Sequence, residues 1–322
     1  MISIQTVTRT YPPGSKITYW NTPDSWPLRR FDWSVPAGSD SAGAERGSLL
    51  FLTGRGDCFE KYLEVFAHFH EAGWNITSFD WRGQGGSGRL SDNPHVGHVE
   101  SFDIWIADLA NFYRQWSAGH PGPGVIVGHS MGGHILLRAI SEKTIDPGGA
   151  ALVAPMLGMN SGIVPSAVGA WIARVMCMIG DAARPAWKNT EKPGVGASLR
   201  QSLLTHSRER YDDELFWKKE KPELQLGPPS WKWMREAYKS LVMLHAPGTL
   251  EAVGTPLLML GVERDGLVDP CAIRRVARRI VGCRVHMYGP ESAHEILREV
   301  DPVRLDALAR IDAFFDEVAP RR

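Results

Sequence analysis

The 322-residue sequence is poor in cysteine, with only four, at positions 58, 177, 271 and 283. None forms a CxxC pair and none stands at zinc-finger spacing with histidines. A disulfide framework is therefore not expected, and buried free thiols in a reducing compartment are the plainer reading. The chain also lacks an excess of either charge: Lys and Arg together number 36, Asp and Glu 36, and the formal net charge is zero. That excludes the basic footprint by which nucleic-acid-binding proteins neutralise phosphates, and it argues against a strongly charged membrane-binding surface. Long apolar stretches are scarce, and only one barely reaches membrane-spanning length. The longest, 163–180, contains Pro165 and Arg174 and reads as a buried or interfacial helix. The opening MISIQTVTRTYPPGS has no basic start followed by an apolar run, so no signal peptide and a cytoplasmic location are expected.

What is present is enough apolar residue for a large core: 43% of the chain is hydrophobic and 22% charged, which excludes a disordered polymer. Short apolar runs at 48–53, 76–79, 125–127, 150–153, 256–260 and 284–288, each bounded by Gly, Pro or Asp, read as strands. Segments of helical period at 60–72, 102–117, 131–143, 270–281 and 302–317 lie between them. Ser101 and Asp301 are placed to cap the second and last of these, the latter with Pro302 at the first helical position. The Pro-rich first 36 residues are read as a pair of edge strands. Such alternation predicts an α/β fold, a mostly parallel sheet with helices on both faces and its ligand site at the carboxyl ends of the strands. The rhythm breaks over 156–247, where prolines punctuate helical patterns without a convincing strand. The expected organisation is a core of 1–155 and 248–322, with 156–247 as a helical lid inserted after the sixth strand.

Gly128-His129-Ser130-Met131-Gly132 is a G-x-S-x-G between a strand and a helix, the setting in which that pattern places a serine on a sharp turn. Ser130 is the expected nucleophile, and a serine hydroxyl needs a base. His294, in the loop after the strand at 284–288, is the histidine on the correct sheet edge; the side chain of adjacent His129 is expected to point away. Asp265 follows the strand at 256–260 and is the expected acid, whereas Asp269, directly before Pro270, suits a helix N-cap. The order Ser130, Asp265, His294 is that of the serine hydrolases with an elbow-borne nucleophile. The oxyanion donors are expected to be the backbone N–H groups of Met131 and of Arg55, in the loop Thr53-Gly54-Arg55-Gly56. The Arg55 side chain either steers an anionic substrate group or pairs with a neighbouring acid.

At these residues the sequence resembles the serine-hydrolase branch of the α/β-hydrolase superfamily, and more closely the bacterial lysophospholipase and monoacylglycerol-lipase family. The resemblance is carried, in order, by LLFLTGRGDCFEKY (49–62), SFDWRGQGGSGR (78–89), VIVGHSMGG (125–133), APM (154–156), GVERDGLVD (261–269) and AHEIL (293–297), about half of the chain. It implies the α/β-hydrolase fold and metal-free, cofactor-free hydrolysis of a carboxylic ester on a single-chain lipid or similar small acyl substrate. Thr53 departs from the histidine many relatives carry before the oxyanion-loop glycine, and the lid shows little that matches.

A general carboxylesterase, an acyltransferase using the same triad and a ligand-binding protein without turnover remain as alternatives. Within the lid, Trp171 and Met178 are the expected acyl-chain contacts. The stripe Val168, Trp171, Ile172, Val175 and Ile179 serves either internal packing or peripheral contact with a membrane. Arg274, Arg275, Arg278 and Arg279 read as a solvated helix face. The sequence does not set the oligomeric state.

Overall fold

A computed structural model describes residues 8–36, 46–120, 122–160, 162, 164–188 and 197–320. Among these residues eight strands form one sheet: β1 Lys16–Asn21, β2 Pro27–Trp33, β3 Gly47–Leu52, β4 Trp74–Phe79, β5 Gly124–His129, β6 Gly149–Val153, β7 Leu257–Val262 and β8 Arg284–Tyr288. Their spatial order is β1-β2-β4-β3-β5-β6-β7-β8. The first two strands are antiparallel to their neighbours and every later pairing is parallel. The edge pair expected from the first 36 residues is β1 and β2.

The apolar runs form strands because both faces of the central sheet are covered, so β3, β6 and β7 are buried along their whole length, whereas the edge strands β1 and β8 are largely exposed. On β3, Leu49 and Phe51 face one helical layer while Leu50 and Leu52 face the other, the period-2 alternation of a pleated strand. Helices α1 (Leu63–Glu71) and α9 (Asp301–Val318) pack on the first face, and α2 (Phe102–Gly119), α3 (Met131–Ser141) and α8 (Pro270–Arg279) on the second. Ser101 caps α2 as expected, accepting from Asp103 N. Asp301 does not cap α9: the helix already begins at this residue after Val300. Its carboxylate instead accepts from Arg210 Nη2 at 2.6 Å.

Between β6 and β7 the chain forms α4 (Ser166–Met178), α5 (Ala197–Leu204), α6 (Arg208–Glu220) and α7 (Trp231–His245). Helix α4 packs against α7 so tightly that a Cβ on Gly169 would come within 2.2 Å of the Tyr238 hydroxyl. Ile163, the first residue of the longest apolar run, lies outside the described residues. Among the described residues no helix is long and apolar enough to cross a membrane.

Candidate active site

Strand β5 ends at His129 and α3 starts at Met131, leaving Ser130 alone at the turn with φ +52° and ψ −115°. A non-glycine residue holds such a backbone only when its surroundings impose it. They do so here through three backbone bonds. Ser130 N–H donates to Val153 O at 3.0 Å, and Ser130 O accepts from His134 N–H at 3.1 Å and Met156 N–H at 3.0 Å. Flanking glycines give the turn room. A Cβ on Gly132 would lie 2.4 Å from Thr53 O, and one on Gly128 would lie 2.9 Å from the Gly133 Cα.

The turn lifts the Ser130 hydroxyl to His294, whose Nε2 is 2.9 Å from Ser130 Oγ. The other ring nitrogen, Nδ1, is 2.7 Å from Asp265 Oδ2. Asp265 Oδ1 accepts from Leu267 N–H at 2.7 Å and Val268 N–H at 3.0 Å, so both carboxylate oxygens are held. The loop carrying Asp265 is pinned by Asn160, whose Nδ2 donates to Asp265 O at 2.6 Å. Burial pushes the Asp265 carboxyl up, but the His294 charge and hydrogen bond and the two backbone donors outweigh it and hold it below the usual carboxylate range. Burial pushes the His294 imidazole down; Asp265, then Glu295 and Asp57, outweigh that and raise it. Such an arrangement removes a proton from the hydroxyl and stabilises the resulting imidazolium.

Asp269 takes the place expected of a helix cap. Its Oδ1 accepts from Cys271 N–H at 2.8 Å and its Oδ2 from Arg275 at 3.0 Å, with no hydrogen bond to His294. Met131 opens α3 beside Ser130, and the loop after β3 passes so close that a Cβ on Gly54 would lie 3.3 Å from the Ser130 Cβ. Met131 and Arg55 both line the cavity over the serine. The Arg55 guanidinium donates to Gly227 O at 3.0 Å and lies 5.6 Å from the Trp233 ring.

At the site, two expectations differ from the structure. Trp171 and Met178 are 65% and 71% exposed and do not line the cavity. Helix α4 is apolar except at exposed Arg174, and the face it buries against α7 is that of Ala173. Trp171 and Met178 share the opposite, outer side. His129 does not point away from the site. Its ring centroid is 5.0 Å from that of His294, and its Nδ1 is 2.9 Å from the Tyr62 hydroxyl. The reversed φ at Ser130 breaks the strand alternation on which that expectation rests.

The cavity measures about 280 Å³. One wall is apolar and comes from Met156, Met159, Trp233, Met234, Tyr238 and Val268. Asp57, Lys61, Arg200 and Glu295 also line it. Sequence reasoning reaches neither set. In the sequence α7 offers a usable signal, since Trp233, Ala237, Leu241 and Leu244 recur at helical spacing and are buried. Lys61 offers none, because Glu60-Lys61 resembles any charged helical pair. Among the described residues, no group of three or more His, Cys, Asp or Glu is placed to hold a metal ion.

Residues 43–301 match the family described as serine aminopeptidase, S33. Lysophospholipase L2 of Escherichia coli strain K12 is 32% identical over 281 residues, covering 83% of this chain and 80% of its own. Monoacylglycerol lipase of Mycolicibacterium smegmatis is 24% identical over 258 residues, covering 79% and 83%. Among solved structures, a soluble variant of monoglyceride lipase from Saccharomyces cerevisiae superposes with a TM-score of 0.75. It covers 96% of this chain and 97% of that one at 18% identity, a likeness of fold.

Proposed function

The chain belongs to the serine aminopeptidase S33 family of α/β-hydrolases, and we propose that it is a serine esterase acting on single-chain acyl lipids by way of an acyl-enzyme. It is an ester hydrolase of the lysophospholipase and monoacylglycerol-lipase kind. The observation that carries the mechanism is the hydrogen-bonded chain from Ser130 through His294 to Asp265 beside a cavity with one apolar wall.

Ser130 Oγ attacks the ester carbonyl while His294 Nε2 takes its proton, and Asp265 fixes the tautomer and stabilises the imidazolium. Negative charge gathers on the former carbonyl oxygen, where the N–H groups of Met131 and Arg55 receive it. Collapse breaks the bond to the alcohol, which leaves with the proton from His294. Water then attacks the acyl-serine, again deprotonated by His294, and the free acid departs. The apolar wall takes the acyl chain, and the inserted helices 156–247 act as a lid over it.

The family description names an aminopeptidase, which must hold a free α-ammonium. The carboxylates in this cavity are already engaged. Both Asp57 and Glu295 bind Lys61, Asp57 Oδ2 accepts from Tyr62 and Glu295 Oε2 from Arg298. This favours an ester over a peptide. The outer side of α4, with Val168, Trp171, Ile172, Met178 and Ile179 exposed, supports peripheral contact with the lipid surface on which such substrates reside.

The test is a hydrolysis panel of lysophospholipids, monoacylglycerols, p-nitrophenyl esters of graded chain length and aminoacyl-p-nitroanilides. Turnover confined to the anilides overturns the esterase reading. Product analysis with added alcohol separates hydrolysis from acyl transfer.

A further inference from the structure

The α5–α6 junction is bonded directly to the segment that carries His294. At the carboxyl end of α5, Leu203 O accepts from His294 N–H at 3.3 Å and Leu204 O from Glu295 N–H at 2.7 Å. These are terminal carbonyls with no partner inside their own helix. Just beyond, the Thr205 hydroxyl donates to Arg298 O at 2.7 Å. Glu299 answers in the other direction, its carboxylate accepting from His206 N–H at 3.1 Å and from Ala293 N–H at 2.7 Å. Residues 203–206 are thus laced to 294–299, the segment that begins at the imidazole, and Glu299 ties that segment back to Ala293.

Below this lacing lies a buried ionic cluster joining three parts of the chain. Lys61, from the turn Phe59–Tyr62 after β3, binds Glu295 Oε1 at 2.7 Å, Glu214 Oε2 of α6 at 3.2 Å, and Asp57. Arg298 binds Glu295 and also lies 3.5 Å from Glu214, and Arg200 of α5 donates to Glu214 Oε1 at 2.6 Å. Lys61, Glu214, Glu295 and Arg298 are all nearly inaccessible to solvent. A buried ionic cluster is a poor source of net stability, since apolar residues of similar volume commonly do as well. What such a cluster supplies is fixed geometry. Here the fixed element is Glu295, the residue next to His294.

We propose that the α5–α6 junction and Lys61 together form a clamp that positions His294, with Glu295 as the positioning residue through which it acts. The proposal rests on the reading of His294 as the catalytic base. The inserted helices then have separate roles, with α7 supplying the acyl wall while α5 and α6 hold the catalytic loop in place. The groups facing His294 are Asp265 from the loop after β7, Asp57 and Lys61 from behind β3, His129 and Ser130 from the β5 elbow, and Leu203 and Leu204 from α5. Glu295 and Arg298 lie on its own segment. Asp265, Glu295 and Asp57 each favour the imidazolium.

The experiment compares kcat and KM across pH for wild type, Glu295→Gln and Thr205→Val on a p-nitrophenyl ester, with thermal unfolding alongside. Glu295→Gln keeps an acceptor for Lys61 but removes one negative charge beside the imidazole. The acid limb of its profile is expected to move down by about one pH unit. Its kcat should fall about tenfold, the order expected of a small misplacement, with KM nearly unchanged. Thr205→Val loses the hydroxyl bridge to Arg298 O and the bond that the hydroxyl accepts from Ser207 N–H at 3.0 Å, and should lower kcat several-fold with KM and acid limb unmoved. A folded Glu295→Gln protein whose acid limb and kcat match wild type overturns the clamp, even if its melting temperature falls. Should Glu295→Gln not fold, Thr205→Val decides, and wild-type kcat there overturns it. Ser130→Ala is run in parallel. Full activity in that variant defeats the triad reading, whereas an inactive Ser130→Ala beside an unaltered Glu295→Gln defeats the clamp alone.

Discussion

The imidazole of His294 stands 2.9 Å from the hydroxyl of Ser130, 164 residues away in the chain. Two separate sheet-edge features bring them together. The backbone reversal at Ser130 raises the hydroxyl above the end of β5, and the loop after β8 carries the ring over it. Neither residue is reactive alone, because an unassisted hydroxyl is a poor nucleophile and an unheld imidazole takes either tautomer.

Ser130→Ala is expected to abolish ester hydrolysis, by about a million-fold in kcat, and to remove labelling by a fluorophosphonate probe. The substitution adds no volume at the elbow, so circular dichroism and melting temperature should stay close to wild type. Turnover within tenfold of wild type would place the nucleophile elsewhere.

Asp265 and Asp269, four residues apart, should separate cleanly. Asp265→Asn leaves the ring free to adopt the wrong tautomer, and kcat is expected to fall by about 10⁴. Asp269→Asn acts on the first turn of α8, where Asp269 accepts from Cys271 N–H. Asparagine still caps, so a stability loss below about 1 kcal/mol with unaltered kcat is expected. Steady-state kinetics and thermal melts of both variants check this, and the reverse ranking would make Asp269 the acid.

The pH dependence follows from His294. Its imidazole is raised above the ordinary value because Asp265, Glu295 and Asp57 outweigh burial. The protonated ring cannot accept the Ser130 proton, so activity is present above the raised value and lost as pH falls through it. The acid limb of kcat/KM should therefore have its midpoint above about 6.5, the value of an unperturbed histidine. A midpoint well below that would mean that burial outweighs the carboxylates.

The centre of the sheet is legible in the sequence because strands such as β3, β6 and β7 are buried on both faces and so read as unbroken apolar runs, Leu49–Leu52 among them. The elbow is legible because its close contacts leave room only for glycine at 128 and 132. Pro270 separates the roles of the two aspartates. The cavity walls are not legible. Helix α4 is apolar except at exposed Arg174, three residues from Trp171 and four from Met178 on the same side; that single charge is the one mark in the pattern that this side faces out, and it is a weak one on so apolar a helix. Lys61 is recognisable only through Glu214 and Glu295, partners more than 150 residues away that the fold alone brings to it.

Acyl-chain selectivity should therefore reside in α7 and the loop after β6 rather than on the outer side of α4. Met234 and Met159 line the apolar wall. Each buried methylene of substrate contributes about 0.8 kcal/mol, so a wall that shortens the cavity removes that gain for every carbon beyond the obstruction. Met234→Trp and Met159→Trp are expected to lower kcat/KM for long-chain p-nitrophenyl esters by about tenfold or more, roughly two methylenes' worth, while sparing acetate. Trp171→Ala and Met178→Ala should leave that profile unchanged for monomeric esters, since neither side chain reaches the cavity. Their effect should appear only with substrate in vesicles, where an exposed tryptophan and methionine have a lipid surface to enter. The measurement is kcat/KM against acyl length for all four variants, first below the critical micelle concentration and then on phospholipid vesicles. A changed chain-length optimum in Trp171→Ala with monomeric esters would return the outer side of α4 to the substrate path.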